Sequence, residues 1–593
     1  MAFLYNPLCK TYNKKGGTIK VGESLTITVK TDYAYSNLIL KSDKDSETAV
    51  YPMSGVDGEF SVTLKNLKKG LYFYHFESGG KIFGKGDNLD AKLDSDSYQL
   101  IVYDRNYTVP AWLKGGFIYQ IFPDRFCKGK DIKISGKIMR KWGEEPYYLP
   151  DADGKIKNND FFGGNFKGIE KKLPYLKNLG VTAIYLNPIA LSYSNHRYDT
   201  ADYLTIDPLL GGEKDLVSLI KKAHDYGIKL IFDGVYNHTG DDSVYFNKYN
   251  TFDSVGAYQS KNSKYYTWYT FQKYPNKYTS WWGINVLPTI NKNSKEFEDF
   301  ILNKVLPYYF NLGFDGIRLD VVDEIPTPFV KKIRKVVKKL NANAVIIGEV
   351  WEDATNKIAY GNRREYFLGN ELDSVMNYPL KSAIINALTQ GDVNGLITTI
   401  KEQVNNYPKP ALSVLMNILG THDTARILTV LSGVDIPSDR ESASKLTLTK
   451  TQKAIAEERL LCAYTILFTL YGVPTVYYGD EVLLSGAKDP FNRRCMDFSL
   501  PKGKVYNLIK KLSKIRKENP VFSQGETVVD NLQNGVLRYK RTLGDEEIDV
   551  IVNLSNYEYD VTLSGYDELL TNTKKKEYTL KKYKALILKR RIL

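Results

Sequence analysis

The 593-residue sequence predicts an α/β protein: a (β/α)8 barrel of the TIM type, carrying a small inserted domain and flanked by an N-terminal and a C-terminal β-sandwich. Two observations carry this reading. Between Pro110 and Phe522, short apolar runs alternate with amphipathic stretches of helical period, the pattern of strands paired in parallel. On either side of that region, apolar and polar residues alternate with a period of two between Gly, Asp and Ser turns, as in the strands of a sandwich.

Residues 1–110 contain SLTITVKT, FSVTLKNL and GLYFYHFES and form the first sandwich. Its Tyr33, Tyr35, Tyr72, Phe73 and Tyr74 suit strand core or interface better than a sugar platform. Residues 111–522 hold eight strand-like runs: Phe117–Phe122, Ala183–Leu186, Lys229–Gly234, Gly316–Asp320, Ala344–Glu349, Asp373–Asn377, Val414–Leu419 and Thr475–Tyr478. The stretch from about 238 to 294, rich in Tyr, Trp, Asn and Ser, is too long for an ordinary strand-to-helix loop and reads as a domain lying over the site. The helix KVYNLIKKLSKIRKEN closes the barrel, and VLRYKR, IDVIVNL and KALILK place the second sandwich at 523–593.

Composition excludes several classes. Hydrophobic residues at 43% and charged residues at 25% fit a folded globular chain, not a disordered or collagen-like one. The net charge of +14 would suit nucleic acid if it were gathered on one face. The lysines are spread instead, and the densest run, from Lys574 to Arg591, is mixed with strand-like alternation, so it reads as solvated surface and no nucleic-acid partner is expected. Cys9, Cys127, Cys462 and Cys495 have neither zinc-site nor disulfide-framework spacing, and read as free thiols in a reducing compartment. The N-terminus, MAFLYNPLCKTYNKK, lacks the pattern of an export signal, so a cytoplasmic location is expected. Gly472 and Pro474 divide the uncharged stretch from Leu460 to Gly479, and no membrane span is expected.

A barrel presents its reacting groups where strands end. Four acids fall at such places: Asp233 in FDGVYNH, Asp320 in GFDGIRLDV, Glu349 in VIIGEVW and Asp423 in ILGTHDTAR. Burying carboxylates is costly, so four at one mouth indicate a site where charge is managed. Of five histidines, His238 and His422 lie within five residues of such an acid, and His196 opens HRYDTADY. Carboxylates with histidines, an arginine and aromatics fit glycoside hydrolysis, in which one carboxylate is an anionic nucleophile and another a protonated acid; a separation of about 5 to 5.5 Å predicts retention of configuration. Arg318, two residues before Asp320, points to the same face and is placed to hold Asp320 ionised. Glu349 needs a raised pKa to act as acid and then as base. The histidines lack the close pairing of zinc ligands, and FFGGNFKG lacks the phosphate-loop signature and reads as a turn.

FDGVYNH, GFDGIRLDV, GEVW and LGTHDTAR resemble, in order and strand placement, the four hallmark regions of the α-amylase superfamily, glycoside hydrolase family thirteen. IYQIFPDRF, GVTAIYLNPI, HRYDTADY, LPTIN and GVPTVYYGDE extend the resemblance from about Gly115 to Met496, and the N-terminal sandwich makes the chain most similar to the neopullulanase, cyclomaltodextrinase and maltogenic amylase group. The resemblance implies a retaining hydrolase of α-1,4 bonds in maltooligosaccharides, cyclodextrins, pullulan or starch. It implies Asp320 as nucleophile, Glu349 as general acid/base, Asp423 as the carboxylate that stabilises the transition state, and Asp233 as structural support. By the same resemblance His238, Arg318 and His422 hold the sugar at the cleavage point, and Tyr198 is its stacking platform. Asp489 and Arg493 grip the neighbouring non-reducing sugar, while Glu324 and Trp351 lie on the leaving-group side. A carbohydrate-binding-like N-terminal sandwich packing over a partner's barrel, hence a homodimer, is also implied, with no organic cofactor.

Two departures stand out. Where the group often has an Asn- and Asp-rich calcium loop, this chain reads CKGKDIKISGK, and the later GGN segment ending at Asn165 lacks an acid, so the usual calcium site is expected to be absent and no metal ligand is assigned. Where the group commonly reads VANE, this chain has Val321, Val322, Asp323 and Glu324, and the added charge at Asp323 leaves the preference between α-1,4 and α-1,6 bonds open. The rival readings are a transglycosylase on the same residues and a non-catalytic glucan-binding protein.

Overall fold

Each of the eight runs is apolar on both faces, which suits a strand with side chains of other strands on one side and helices on the other. In the computed structural model, which describes residues 2–590 apart from 133–135, 152, 153, 155, 534, 563 and 574, they form β1 (Ile118–Ile121), β2 (Ala183–Leu186), β3 (Lys229–Gly234), β4 (Gly316–Leu319), β5 (Val345–Gly348), β6 (Ser374–Val375), β7 (Met416–Asn417) and β8 (Val473–Tyr477). The neighbours run β6, β5, β4, β3, β2, β1, β8, β7, all parallel. A parallel bridge between Met376 and Met416 joins the two ends, so the predicted barrel is nearly closed. β6 and β7 are shorter than the runs that predicted them. At this seam Asn377 takes over from the ladder: its amide donates to Met416 O at 2.9 Å, and its side chain donates to Gln403 Oε1 and Asn417 Oδ1.

Ile118, Tyr185, Ile231, Val345, Ile347 and Val473 pack together inside the barrel. Outside lie amphipathic helices, whose ends are set by local chemistry. Phe166–Leu179 begins where Asn165 accepts from Gly168 N and ends at Gly180, left-handed at φ 98°. Thr327–Leu340 buries Phe329, Val330, Ile333 and Val337 on one stripe. Lys450–Thr469 starts in a Thr449–Gln452 capping box. Among the described residues, the β5–β6 connection holds no helix; it carries a short hairpin, Ile358–Ala359 with Asn362–Arg363.

The N-terminal region, up to the strand Tyr98–Tyr103, forms two sheets that close over a core including Leu38, Tyr74, Phe76 and Tyr98. The C-terminal strands from Glu526 onward form a five-stranded sheet and a two-stranded one. Lys574 and Arg591, the ends of the basic run, lie outside the described residues. All four cysteines are free thiols. Among the described residues no helix is long and apolar enough to cross a membrane.

Candidate functional site

Asp233 is the penultimate residue of β3, Arg318 lies in β4, Asp320 directly follows β4, Glu349 directly follows β5, and Asp423 lies in the loop after β7. The barrel thus delivers all five to its C-terminal mouth. Arg318 is fully buried and central. Its Nη1 donates to Asp233 Oδ1 at 2.8 Å and to Asp320 Oδ1 at 2.7 Å, while Nη2 stands 2.8 Å from Glu349 Oε2. Glu349 also accepts from Val321 N at 2.8 Å and from Trp351 Nε1 at 3.1 Å. Val321 adopts φ 36°, a costly conformation for a β-branched residue, and this turn directs its N–H at Glu349 immediately beyond Asp320.

Asp233 is the most enclosed of the acids: Tyr185 and Tyr198 hydroxyls donate to its Oδ2 at 2.6 and 2.7 Å. The Tyr198 ring lies parallel to His422, centroids 5.1 Å apart, and Gln120 Nε2 meets His422 Nδ1 at 3.0 Å. His422 Nε2 lies 3.2 Å from Asp423 Oδ1. Arg493 Nη1 pairs with Asp489 at 2.7 Å, and its Nη2 reaches to 3.9 Å from Asp423.

Burial sets the protonation pattern. It pushes Asp320 well above the usual carboxylate range; Arg318 opposes this, and Glu349, Asp233 and Asp423 reinforce it. Asp423 rises to about 7 through burial and the charge of Glu349, and Asp233 rises through burial against the pull of Arg318. The expectation that Arg318 holds Asp320 ionised is therefore incomplete, because burial and three neighbouring acids outweigh the pull of its guanidinium. Asp233, Asp320 and Asp423 thus each hold a proton more readily than an isolated carboxylate does. Burial lowers His196 and His238 to about 3 and His422 further, so the three imidazoles are neutral near pH 7. His238 lines the cleft, and its buried Nε2 has no side-chain hydrogen-bond partner.

The cleft has a volume of about 1270 Å³. Tyr198, His238, Asp320, Glu324, Glu349, Trp351, His422, Asp423, Asp489 and Arg493 all line it, with Arg318 beneath them. Asp323 is tied back by the Tyr366 hydroxyl at 2.6 Å and by Lys357 at 3.6 Å, which offsets its charge. Among the described residues of the calcium-loop region, Asn165 and Asp124 are bonded to the protein's own backbone. Asn165 Oδ1 accepts from Gly129 and Gly168 amides, its Nδ2 donates to the Lys130 and Gly163 carbonyls, and the Asp124 carboxylate accepts from the Phe162 and Gly163 amides.

A family model described as the alpha amylase catalytic domain matches residues 120–502. The chain belongs to the α-amylase family. It is 32% identical to a cyclomaltodextrinase of Thermoanaerobacter pseudethanolicus over 86% of this chain and 84% of that protein. It is 34% identical to an amylopullulanase of Thermoanaerobacter thermohydrosulfuricus over 86% of this chain, but it covers only 38% of that protein; across three such amylopullulanase relatives it spans 31% to 48% of their length. Among solved structures, a cyclic α-maltosyl-(1→6)-maltose hydrolase from Arthrobacter globiformis superposes with a TM-score of 0.68 at 28% identity, covering 81% of this chain and 99% of that one.

Other residues of this α-amylase family member reach the site without having been singled out in the sequence. Tyr185 sits in AIYL and reads as core, yet its hydroxyl meets Asp233. Trp281, in the inserted region, stacks on His238 with centroids 5.1 Å apart, and Trp282 stacks on Trp281. Tyr360 lines the cleft from the β5–β6 hairpin. The WW pair within a Tyr-rich insert was the available signal; Tyr360 offered none.

Proposed function

We propose that the chain is a retaining α-glucan hydrolase acting on α-1,4 bonds of short maltooligosaccharides, cyclodextrins or pullulan. The observation that carries this is the contact of one guanidinium, Arg318, with both Asp320 and Glu349 at 2.7 and 2.8 Å. Two carboxylates held by the two nitrogens of one group are near neighbours, as a retaining pair requires; an inverting pair stands about 6.5–9.5 Å apart with water between.

In this reading, Asp320 attacks the anomeric carbon while Glu349 protonates the departing glycosidic oxygen, leaving a covalent glycosyl-enzyme. Glu349 then takes a proton from water, which displaces Asp320 and restores the original configuration. Asp423 opposes the positive charge that develops on the sugar ring. His238, His422 and Tyr198 hold the reacting sugar, Asp489 and Arg493 the next one toward the non-reducing end, and Glu324 and Trp351 the leaving group. The names of the cyclomaltodextrinase and amylopullulanase relatives support the substrate class. We assign a cytoplasmic location, supported by the four free thiols, and a homodimer through the N-terminal sandwich; light scattering that shows only monomer at micromolar concentration overturns the dimer.

The test is the product profile from maltoheptaose, β-cyclodextrin and pullulan with the native protein and Asp320→Asn. Short α-configured products from the native protein and near-complete loss in the variant support the reading. No change in any of the three substrates by the native protein overturns it in favour of glucan binding, and transfer products exceeding hydrolysis products favour a transglycosylase.

A further inference from the structure

Two aromatic side chains from separate loops meet across the rim of the cleft. Trp282 comes from the inserted region, and Tyr360 from the tip of the hairpin between β5 and β6. Tyr360 donates its hydroxyl to Glu324 Oε1, and the Trp282 side chain lies near that hydroxyl. Both rings line the cleft.

Neither residue is held there by burial. Trp282 is 78% exposed and Tyr360 68%, among the most exposed large apolar residues of the chain. Both also adopt the left-handed backbone region, φ 51° and 52°, where bulky residues are uncommon and where glycine, asparagine or aspartate is the ordinary choice. Large rings in strained positions that bury little surface gain nothing for folding, and such outliers gather at ligand clamps. An exposed aromatic face beside a polar handle is what the apolar face of a sugar ring and its hydroxyls would meet.

Their place relative to the acids gives direction. From the buried His238, Trp281 and then Trp282 form a continuous stack leading out to the rim. Trp351, which also lines the cleft, lies parallel to Tyr378, centroids 3.9 Å apart, with its indole N–H on Glu349. The bond from Tyr360 to Glu324, four residues beyond Asp320, puts the bracket at the part of the cleft assigned above to the leaving group.

Resting on the hydrolase reading above, we infer that Trp282 and Tyr360 form a bracket that binds the leaving sugar beyond the scissile bond, with Glu324 accepting from the bracket and from that sugar. The bracket makes turnover depend on a sugar leaving group.

The experiment compares kcat/KM for maltotetraose, which has a sugar leaving group, with that for α-maltosyl fluoride, which has none, in the native protein, Trp282→Ala, Tyr360→Ala and Tyr360→Phe. Each alanine variant is expected to lower the maltotetraose-to-fluoride ratio about tenfold, mainly through KM, as expected for the loss of binding beyond the cleaved bond. Tyr360→Phe, which keeps the ring, is expected to lose less than Tyr360→Ala. Ratios within twofold of native in both alanine variants overturn the bracket while leaving the hydrolase reading intact. Failure of the native protein to release fluoride overturns the hydrolase reading and, with it, the inference.

Discussion

Arg363 and Asp43 form a bidentate ion pair, Nε to Oδ2 at 3.0 Å and Nη2 to Oδ1 at 2.9 Å, that ties the β5–β6 hairpin to the N-terminal sandwich. The Arg363 guanidinium also lies 5.7 Å from the centre of the Phe73 ring of the same sandwich. At the other side of the hairpin base, Arg364 donates to Ile325 O at 3.1 Å and Tyr366 to Asp323. The sandwich and the β4 loop together thus fix a hairpin too short to hold its own shape. The side chains of the pair are 25% and 20% exposed, so it is worth about 0.5–1 kcal/mol.

Asp43→Ala is therefore expected to raise KM for maltotetraose about two- to fivefold, with a smaller effect on α-maltosyl fluoride. Steady-state kinetics on both substrates checks this; an equal change on both would show that the sandwich affects the site as a whole and not through the hairpin.

Arg318 has no exposed surface and touches three acids. Its replacement by Met leaves buried carboxylates without their cation, a loss of about 3–5 kcal/mol when one partner of a buried pair is removed. Turnover of maltoheptaose is expected to fall at least 10²- to 10³-fold, the order seen when one preorganised charge-stabilising group is lost. Thermal unfolding together with kinetics reads both. A variant of native stability with native turnover would show that the cluster does not depend on this cation.

His238 lines the cleft with a buried Nε2 that no side chain satisfies, and burial keeps the ring neutral down to about pH 3. A ligand hydroxyl can satisfy it, so His238→Ala is expected to cost about 1–3 kcal/mol of transition-state binding, roughly 10- to 100-fold in kcat/KM. Because the ring stays neutral, native activity between pH 7 and 5 is expected to show no loss traceable to His238. A variant that removes a native inflection near pH 6 would contradict this.

The barrel and the acids at strand ends were legible because each strand is a short apolar run and each acid interrupts one. The seam between β6 and β7 was not, since side chains of Asn377, Gln403 and Asn417 replace backbone pairing there and leave no periodic trace. The positions of Asp320 and Arg318 on one strand showed that they would meet, but not that Arg318 also serves Glu349 from the next strand. Burial, with the charges of Glu349, Asp233 and Asp423, raises the proton affinity of Asp320 against the pull of Arg318, which pairwise reading from the sequence assigns the other way. Tyr360 lay beyond sequence reasoning because its role depends on a two-residue turn, closed by Gly361, that brings it to a loop nearly eighty positions away.

Glu371 lies outside the site, has no exposed surface, and neither of its carboxylate oxygens has a hydrogen-bond partner. Burial raises its pKa from 4.5 to about 8; Lys331, whose Nζ is 3.9 Å away, opposes the shift, Glu365 adds to it, and Arg364 and Lys69 oppose it more weakly. Between pH 4.5 and about 8 the folded state therefore binds a proton that the unfolded chain releases. The stabilisation is complete below the lower value and is lost as pH rises through the upper one. Glu371→Gln removes the titration, and at pH 9 it spares the fold a poorly paired buried charge; it is expected to be more stable than native there by about 1–2 kcal/mol. The difference is expected to shrink as pH falls and to vanish near pH 4.5. Thermal unfolding of both proteins across that range measures it, and a difference that stays constant with pH would show that Glu371 does not titrate in this window.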